Sequence, residues 1–242
     1  MATGVLTNAK VWYDGAEFSP FMFATENEYG VEAIDDTTMG TAGTRSFAAG
    51  LKFHRFSDAG YFEAGGTPDI DSTAFTALGA GNTVRTYSRD GGAQGEFAYL
   101  TRALVSRYSP FDNGVVGEMH KFTFQGANQG DPLFRGPIIH NAAVTATGSG
   151  SEVSHVAVAS GETLAGTLHV VSVTGSGTID VVVESDTTGF ASPTTQLTFS
   201  QLAAVGGGYQ TSTTATTDTF WRTTHTISGF TSVTYIVAIG IL

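Results

Sequence analysis

Histidines and paired carboxylates are the side chains of this chain that could bind a metal ion or transfer protons. The six histidines form no HxH pair, no HExxH motif and no pair four residues apart on a helix. Isolated histidines in strands more commonly fill half-buried polar positions than bind metal. We therefore expect no metal and no cofactor. The histidines are His54, His120, His140, His155, His169 and His225.

Two pairs of neighbouring carboxylates could in principle support acid–base chemistry or calcium binding. They are Asp35 with Asp36, and Asp69 with Asp71. The second pair lacks the glycine at the sixth position and the closing glutamate of a calcium loop, and capping of a helix explains it better. The chain also contains no GxSxG elbow and no P-loop. The sequence therefore predicts that the protein is not an enzyme.

The composition favours self-association over free diffusion as a monomer. Charged residues make up 14% of the 242 residues, against roughly 25% in typical soluble domains, while hydrophobic residues reach 41%. Glycine occurs 31 times and cysteine is absent, which excludes disulfides and thiolate metal sites. A surface with few charges suits extensive contact between copies of the chain.

The net charge of −11 excludes some partners. Residues 1–140 carry 10 Lys and Arg against 16 Asp and Glu, giving −6, and residues 141–242 carry 1 against 6, giving −5. Without clustered basic residues, tight binding to nucleic acid is not expected, and an acidic surface would let DNA pass without sticking. No run of 18 apolar residues is present, so we expect no membrane partner.

Alternating hydrophobicity predicts an all-β fold with one short helix, at residues 69–79. The change of composition near residue 137 predicts two β-sandwich or barrel-like modules, residues 1–136 and 137–242. A hairpin is expected at residues 174–177 and a flexible loop at the glycine run 205–208. The predicted strands are 5–13, 19–25, 51–62, 83–88, 97–108, 115–125, 142–146, 153–158, 166–174, 178–185, 196–199, 220–228 and 233–239.

Two segments have alternative interpretations. Residues 26–49 show weak periodicity over a length that is unusual for a loop, and they are either a mobile surface excursion or an arm that packs on a neighbouring subunit. Trp221 lies where a strand begins, within the sequence DTFWR at residues 218–222. It could be an exposed aromatic that binds sugar, or it could belong to the core, as aromatics in strands usually do.

Several stretches resemble the tail tube (major tail) proteins of long-tailed bacteriophages. Residues 31–40, VEAIDDTTMG, and 44–52, TRSFAAGLK, are similar to that family's VE-T-FGD-R-GL region. They precede GYF at 60–62, LG at 78–79 and the turn DGG at 90–92, in the order that the family shows. The second part resembles the carboxy-terminal part of phage tail proteins at GTLHV 166–170, ESD 184–186, FWR 220–222 and TISG 226–229.

The resemblance implies a virion structural protein of the phage tail, made in the host bacterial cytoplasm. It implies subunits in rings, hexameric or pseudo-hexameric trimers, stacked into a tube with other tail proteins, through which DNA is ejected. The arm, residues 26–49, would then contact an adjacent subunit. Its candidate contact residues are Val31, Glu32, Asp35, Asp36, Thr37, Thr38, Met39 and Arg45. The family's FGD is MGT here, at residues 39–41, so the contact of that aspartate does not carry over.

The residues leave other functions open. A carbohydrate-binding or receptor-binding tail module would rest on Trp221, and a capsid or head-decoration protein is a further structural class. The shape of the assembly, a tube or a shell, distinguishes the last from a tail tube.

Overall fold

The computed structural model of the protein describes residues 8–38, 44–63, 65, 69–112 and 114–242. Strands make up 63% of the described residues, and α1 (Ile70–Ala77) is the one α-helix among them. The predicted all-β class with one short helix is confirmed. The strands are β1 Lys10–Tyr13, β2 Ala16–Glu17, β3 Met22–Asp35, β4 Phe47–Tyr61, β5 Thr83–Ser88, β6 Phe97–Asp112, β7 Lys121–Asn128, β8 Phe134–Val144, β9 Gly148–Ser149, β10 Val153–Ser154, β11 Leu164–Asp186, β12 Thr194–Thr198, β13 Gly206–Ser212 and β14 Phe220–Ile241.

The strands form one antiparallel sheet with branches. Its main path runs β12-β11-β14-β8-β6-β5-β1-β2, and a branch leads from β6 through β7 and β4 to β3. Strand β6 pairs with β5 along one edge and changes partner along the other, from β8 at Phe97–Leu100 to β7 beyond Ala103. The sheet therefore divides at β6, and its branch ends in the β3–β4 hairpin.

The short helix forms where its capping residue predicts. Asp69 is the N-cap, and its Oδ1 accepts a hydrogen bond from the Ser72 backbone N–H at 2.6 Å. Ile70, Ala74 and Ala77 lie at helical spacing and are buried against the core of the first part. Asp69 therefore caps α1, as the sequence predicts.

The prediction of a hairpin at residues 174–177 is wrong. Strands β11 and β14, of 23 and 22 residues, pair with each other through this region. The pairing register shifts on both sides of Gly175, which has φ +91°, and Gly229 on the opposite strand has φ +84°. Glycines at positive φ here allow β-bulges that bend two long strands, and the local sequence of such a bulge is close to that of a turn.

Four other predictions, of two loops and two strands, also need correction. The glycine run at 205–208 does not form a loop, because β13 begins at Gly206 and pairs with β11. Strand β8 begins at Phe134, eight residues before the predicted start at 142, and β7 begins at Lys121, after the predicted 115. Residues 26–49 are not a loop in their described part, since they lie mostly in β3 and β4.

Packing is continuous between the two predicted modules. Strand β8 pairs with β6 of the first part and with β14 of the second. One of three apolar clusters contains Trp12 and Leu100 from the first part together with Ala165 and Ile236 from the second. The division of the chain into two modules at residue 136 stays a prediction. In such a division, this shared apolar cluster is where the two modules contact each other.

Gly15 provides a test of that shared packing. Its φ is +90°, and a Cβ there would lie 2.4 Å from the Val170 carbonyl oxygen. We expect Gly15→Ala to lower the free energy of unfolding by about 3 kcal/mol, from backbone strain and overlap together. Gly95 is the matched control, because its φ is +89° and a Cβ would meet nothing within 4 Å. Gly95→Ala should cost about 1 kcal/mol in urea unfolding. Equal losses would show that the contact with Val170 is unimportant.

Candidate assembly site

The end of the β3–β4 hairpin projects beyond the rest of the sheet. Strand β7 pairs with β4 only from Arg55 to Tyr61, so β4 has no partner on that edge over the preceding residues. Within the described residues, β3 pairs with β4 alone. From here on, the arm means residues 26–38 and 44–55. At about 3.3 Å per residue, its eight residues from Tyr29 to Asp36 span roughly 26 Å.

Hydrogen bonds across the strands hold the far end of the arm together. The register pairs Val31 with Lys52 and Asp35 with Phe47, and the Asp36 N–H donates to the Ser46 carbonyl oxygen at 3.1 Å. The Thr37 hydroxyl accepts from the Ser46 N–H at 2.9 Å and donates to the Ser46 carbonyl. The Asp35 carboxylate accepts hydrogen bonds from the Thr37 side chain and from the Thr37 backbone, and these bonds lower the pKa of Asp35. The arm is thus an ordered ribbon up to the point where the described residues stop.

The arm exposes large apolar side chains on both faces. Tyr29 and Val31 lie on one face with Phe47, which is paired with Asp35, and Ile34 lies on the other. An isolated two-stranded hairpin is marginally stable at best in water, and contiguous exposed apolar groups mark interaction sites. The arm therefore has the character of an interface. The exposed fractions are 44% for Tyr29, 49% for Val31, 52% for Ile34, 54% for Phe47 and 76% for Leu51.

A fully buried ion pair anchors the base of the arm. The Arg85 guanidinium on β5 contacts both carboxylate oxygens of Asp58 on β4, at 3.1 and 3.2 Å. Its Nε donates to the Tyr13 hydroxyl at 2.6 Å, and that hydroxyl donates to Asp58. All three side chains are inaccessible to solvent. Burial raises the pKa of Tyr13 well above its usual range, with Asp58 adding to the effect.

The same guanidinium also contacts β3. Its Nη1 donates to the Asn27 side-chain oxygen at 2.6 Å, and its Nη2 donates to the Thr25 hydroxyl at 3.3 Å. The guanidinium carbon lies 4.6 Å above the Phe56 ring. Because one buried cation joins β1, β3, β4 and β5, the direction of the arm is fixed relative to the sheet.

The structure brings most of the predicted contact residues together. Val31, Glu32, Asp35, Asp36, Thr37, Thr38 and Arg45 are all exposed within one hairpin, and Met39 lies outside the described residues. The sequence prediction missed Arg85 and Asp58, which hold that hairpin in place. A signal was present, because Arg85 is the one charged residue of segment 83–88 and Asp58 is the one acidic residue of segment 47–61.

Trp221 is not an exposed ligand platform. Its side chain is fully buried in the apolar cluster between β11, β14 and β12. Trp221 pairs with Ser185 near one end of the β11–β14 ladder, where alternation directs its side chain into the core. The interpretation of Trp221 as an exposed sugar-binding aromatic is therefore wrong.

The histidines lie apart from the arm's exposed end, and most are buried. His54, His140, His169 and His225 are buried singly or in a small cluster, in which Tyr235 stacks on His140 at 4.0 Å between ring centres. Across the described ranges, no three His, Cys, Asp or Glu side chains are grouped to hold a metal ion. In the same ranges, no helix has the length and apolar character to cross a membrane.

Buried histidines predict a loss of stability in mild acid. Burial lowers the pKa of His54 and His140 to about 4 and that of His169 to about 3. Each therefore favours the unfolded state, by up to about 1.4 kcal/mol per pH unit, as the pH falls below roughly 6.5. Asp14 acts oppositely, because burial raises its pKa to about 6 and protonation there favours the fold. As the pH falls, the loss of folding stability from the three histidines exceeds the gain from the single Asp14 carboxyl.

We expect the free energy of unfolding to fall between pH 6.5 and pH 4.5, as measured by urea titration at several pH values. His169→Gln should reduce that slope, and Asp14→Asn should steepen it. A flat profile would contradict the lowering of the histidine pKa values by burial.

Comparisons with known proteins find only distant structural similarity. No family model and no curated protein matches the chain. One similar structure is the crystal structure of SPP1 Dit, which is described as a paradigm of the hub adsorption apparatus in phages that infect Gram-positive hosts. Its sequence is 14% identical, the match covers 96% of this chain and 99% of that chain, and the TM-score is 0.39. The anti-feeding prophage cap that terminates its tube is 10% identical, with 57% and 94% covered and a TM-score of 0.41.

A third similar structure belongs to a native gene transfer agent particle, at 17% identity, 47% and 82% coverage and a TM-score of 0.37. The three structures come from a phage, an anti-feeding prophage and a gene transfer agent particle.

Proposed function

We propose that the protein is a structural subunit of a bacteriophage tail tube and that it self-assembles into stacked rings around a DNA-conducting channel. The observation that carries this proposal is the arm, with its five exposed large apolar side chains. A projecting ribbon that cannot bury these groups on its own body is suited to a neighbouring subunit. The sequence resemblance to tail tube proteins falls on the same residues, 31–52.

The charge distribution supports the passage of DNA without specific binding. Only four of the 22 acidic side chains form ion pairs across the described ranges: Glu17, Asp58, Asp131 and Glu184. The remaining carboxylates keep the assembled surface negative, which repels the phosphate backbone. In this proposal the protein is located in the virion tail and contacts copies of itself and other tail proteins. The ring is a hexamer or a pseudo-hexameric trimer.

Measuring molar mass against concentration tests the proposal. Light scattering coupled to gel filtration should show a discrete multiple of the 25.2 kDa chain that grows as the protein is concentrated. A ring yields three or six copies, and stacking yields larger multiples. A constant mass of one chain up to millimolar concentration would overturn the proposal.

A further inference from the structure

The two strands of the arm carry opposite charges. On the β3 side every charged residue from 26 to 36 is acidic, and on the β4 side every charged residue from 44 to 55 is basic. The acidic residues are Glu26, Glu28, Glu32, Asp35 and Asp36, and the basic residues are Arg45, Lys52 and Arg55. In a chain of net charge −11 with 11 basic residues, three bases and no acid between residues 44 and 55 are a marked segregation.

These charges do not neutralise one another within the arm. Glu28 lies directly opposite Arg55 in the register, and Lys52 lies opposite Val31 beside Glu32. None of these four charged side chains forms an ion pair within the described part of the chain, and all are exposed. Arg55 instead stacks over the Phe53 ring at 5.0 Å. Both sets of charges are therefore available to another molecule.

Both strand edges of the arm also lack backbone partners. Within the described residues, the outer edge of β3 is unpaired along its length. The outer edge of β4 has no strand partner before Arg55. On that edge, the His54 N–H donates a hydrogen bond to the Asn128 side chain. Exposed strand edges of this kind add a further strand readily. The acidic edge and the basic edge face away from each other, on opposite sides of one ribbon.

We propose that the arms of adjacent subunits pair edge to edge, with the acidic β3 edge of one copy against the basic β4 edge of the next. The occupant of each edge is thus a second copy of this chain. β3 and β4 run antiparallel, so arms that point the same way place β4 of one copy antiparallel to β3 of its neighbour. Such a head-to-tail contact is heterologous and closes into a ring when its rotation allows. This inference rests on the proposed function and specifies which surfaces meet.

Charge inversion of one edge at a time tests the pairing. Glu28→Lys with Glu32→Lys reverses two of the five acidic residues at 26–36, and Lys52→Glu with Arg55→Glu reverses two of the three basic residues at 44–55. Each variant alone should need about tenfold or more protein for half-assembly, since two attractive pairs become repulsive. An equimolar mixture of the two variants should associate at the concentration at which the unmodified protein associates, because the reversed edge of each variant then meets the reversed edge of the other. Glu118→Lys with Glu152→Lys is the control, an equal charge change off the arm.

The mixture separates this inference from a simple loss of arm structure. Each variant places like charges across its own hairpin, and mixing does not remove that defect. A mixture that assembles no better than either variant alone would overturn the edge pairing, as would variants that assemble as readily as the unmodified protein. If the unmodified protein itself forms no rings, the proposed function fails instead.

Discussion

Removal of the arm is expected to abolish ring assembly while the rest of the protein stays folded. Gly30 and Phe53 are a register pair, so residues 30–53 can be replaced by Asn-Gly, a two-residue turn that joins Tyr29 to its partner His54. The variant loses the exposed Val31, Ile34, Phe47 and Leu51 but keeps the buried anchor of the hairpin. We expect at least a hundredfold rise in the concentration needed for assembly, measured by light scattering, with the β-type circular dichroism unchanged.

A control is available on another exposed apolar segment. The loop before β7 contains Val116 and Met119, whose side chains are also largely exposed. Val116→Ser with Met119→Ser removes a similar apolar surface without touching the arm, and assembly should persist. If this control abolishes rings and the arm deletion does not, the interface lies at the β6–β7 end of the sheet.

Breaking the buried ion pair is expected to cost more stability than any other single charge substitution among the described ion pairs. Arg85→Met leaves the Asp58 carboxylate buried without its cation and removes the donors to Tyr13, Thr25 and Asn27. Removing one partner of a buried pair typically costs about 3–5 kcal/mol. Urea unfolding should show this loss, with assembly impaired as well because the arm is no longer fixed.

The matched control for this substitution is a half-exposed pair. Arg102 contacts Asp131 at 2.7 Å, but 40% of the Arg102 side chain is exposed. Arg102→Met should cost about 1 kcal/mol or less. Similar losses for the two substitutions would contradict the role of Arg85 as the anchor of the arm.

Local signals predicted the elements that depend on local chemistry. The Asp69 cap located α1, and strand β5 lies at the predicted residues 83–88. The arm gave no strand signal because both of its faces are exposed in the single chain. Alternation of apolar and polar residues arises only when one face is buried, so a ribbon built for a partner has no such pattern. Weak periodicity at residues 26–49 was therefore informative about exposure and misleading about secondary structure.

The remaining errors arise from contacts between residues distant in the chain. Gly175 and Gly229 bend a pair of long strands, and the choice between a bulge and a turn is made by the opposite strand. Trp221 is buried because β11 pairs with β14 along its whole length, which a single strand does not reveal. Arg85 and Asp58 are 27 residues apart, and only the fold shows that their charges meet.

An electron micrograph of the concentrated protein in negative stain tests the central claim most directly. A self-assembling tail tube subunit predicts rings with a central hole, viewed end-on, and stacks of rings viewed from the side. Particles of single-chain size at every concentration, or closed shells in place of rings and tubes, would contradict it.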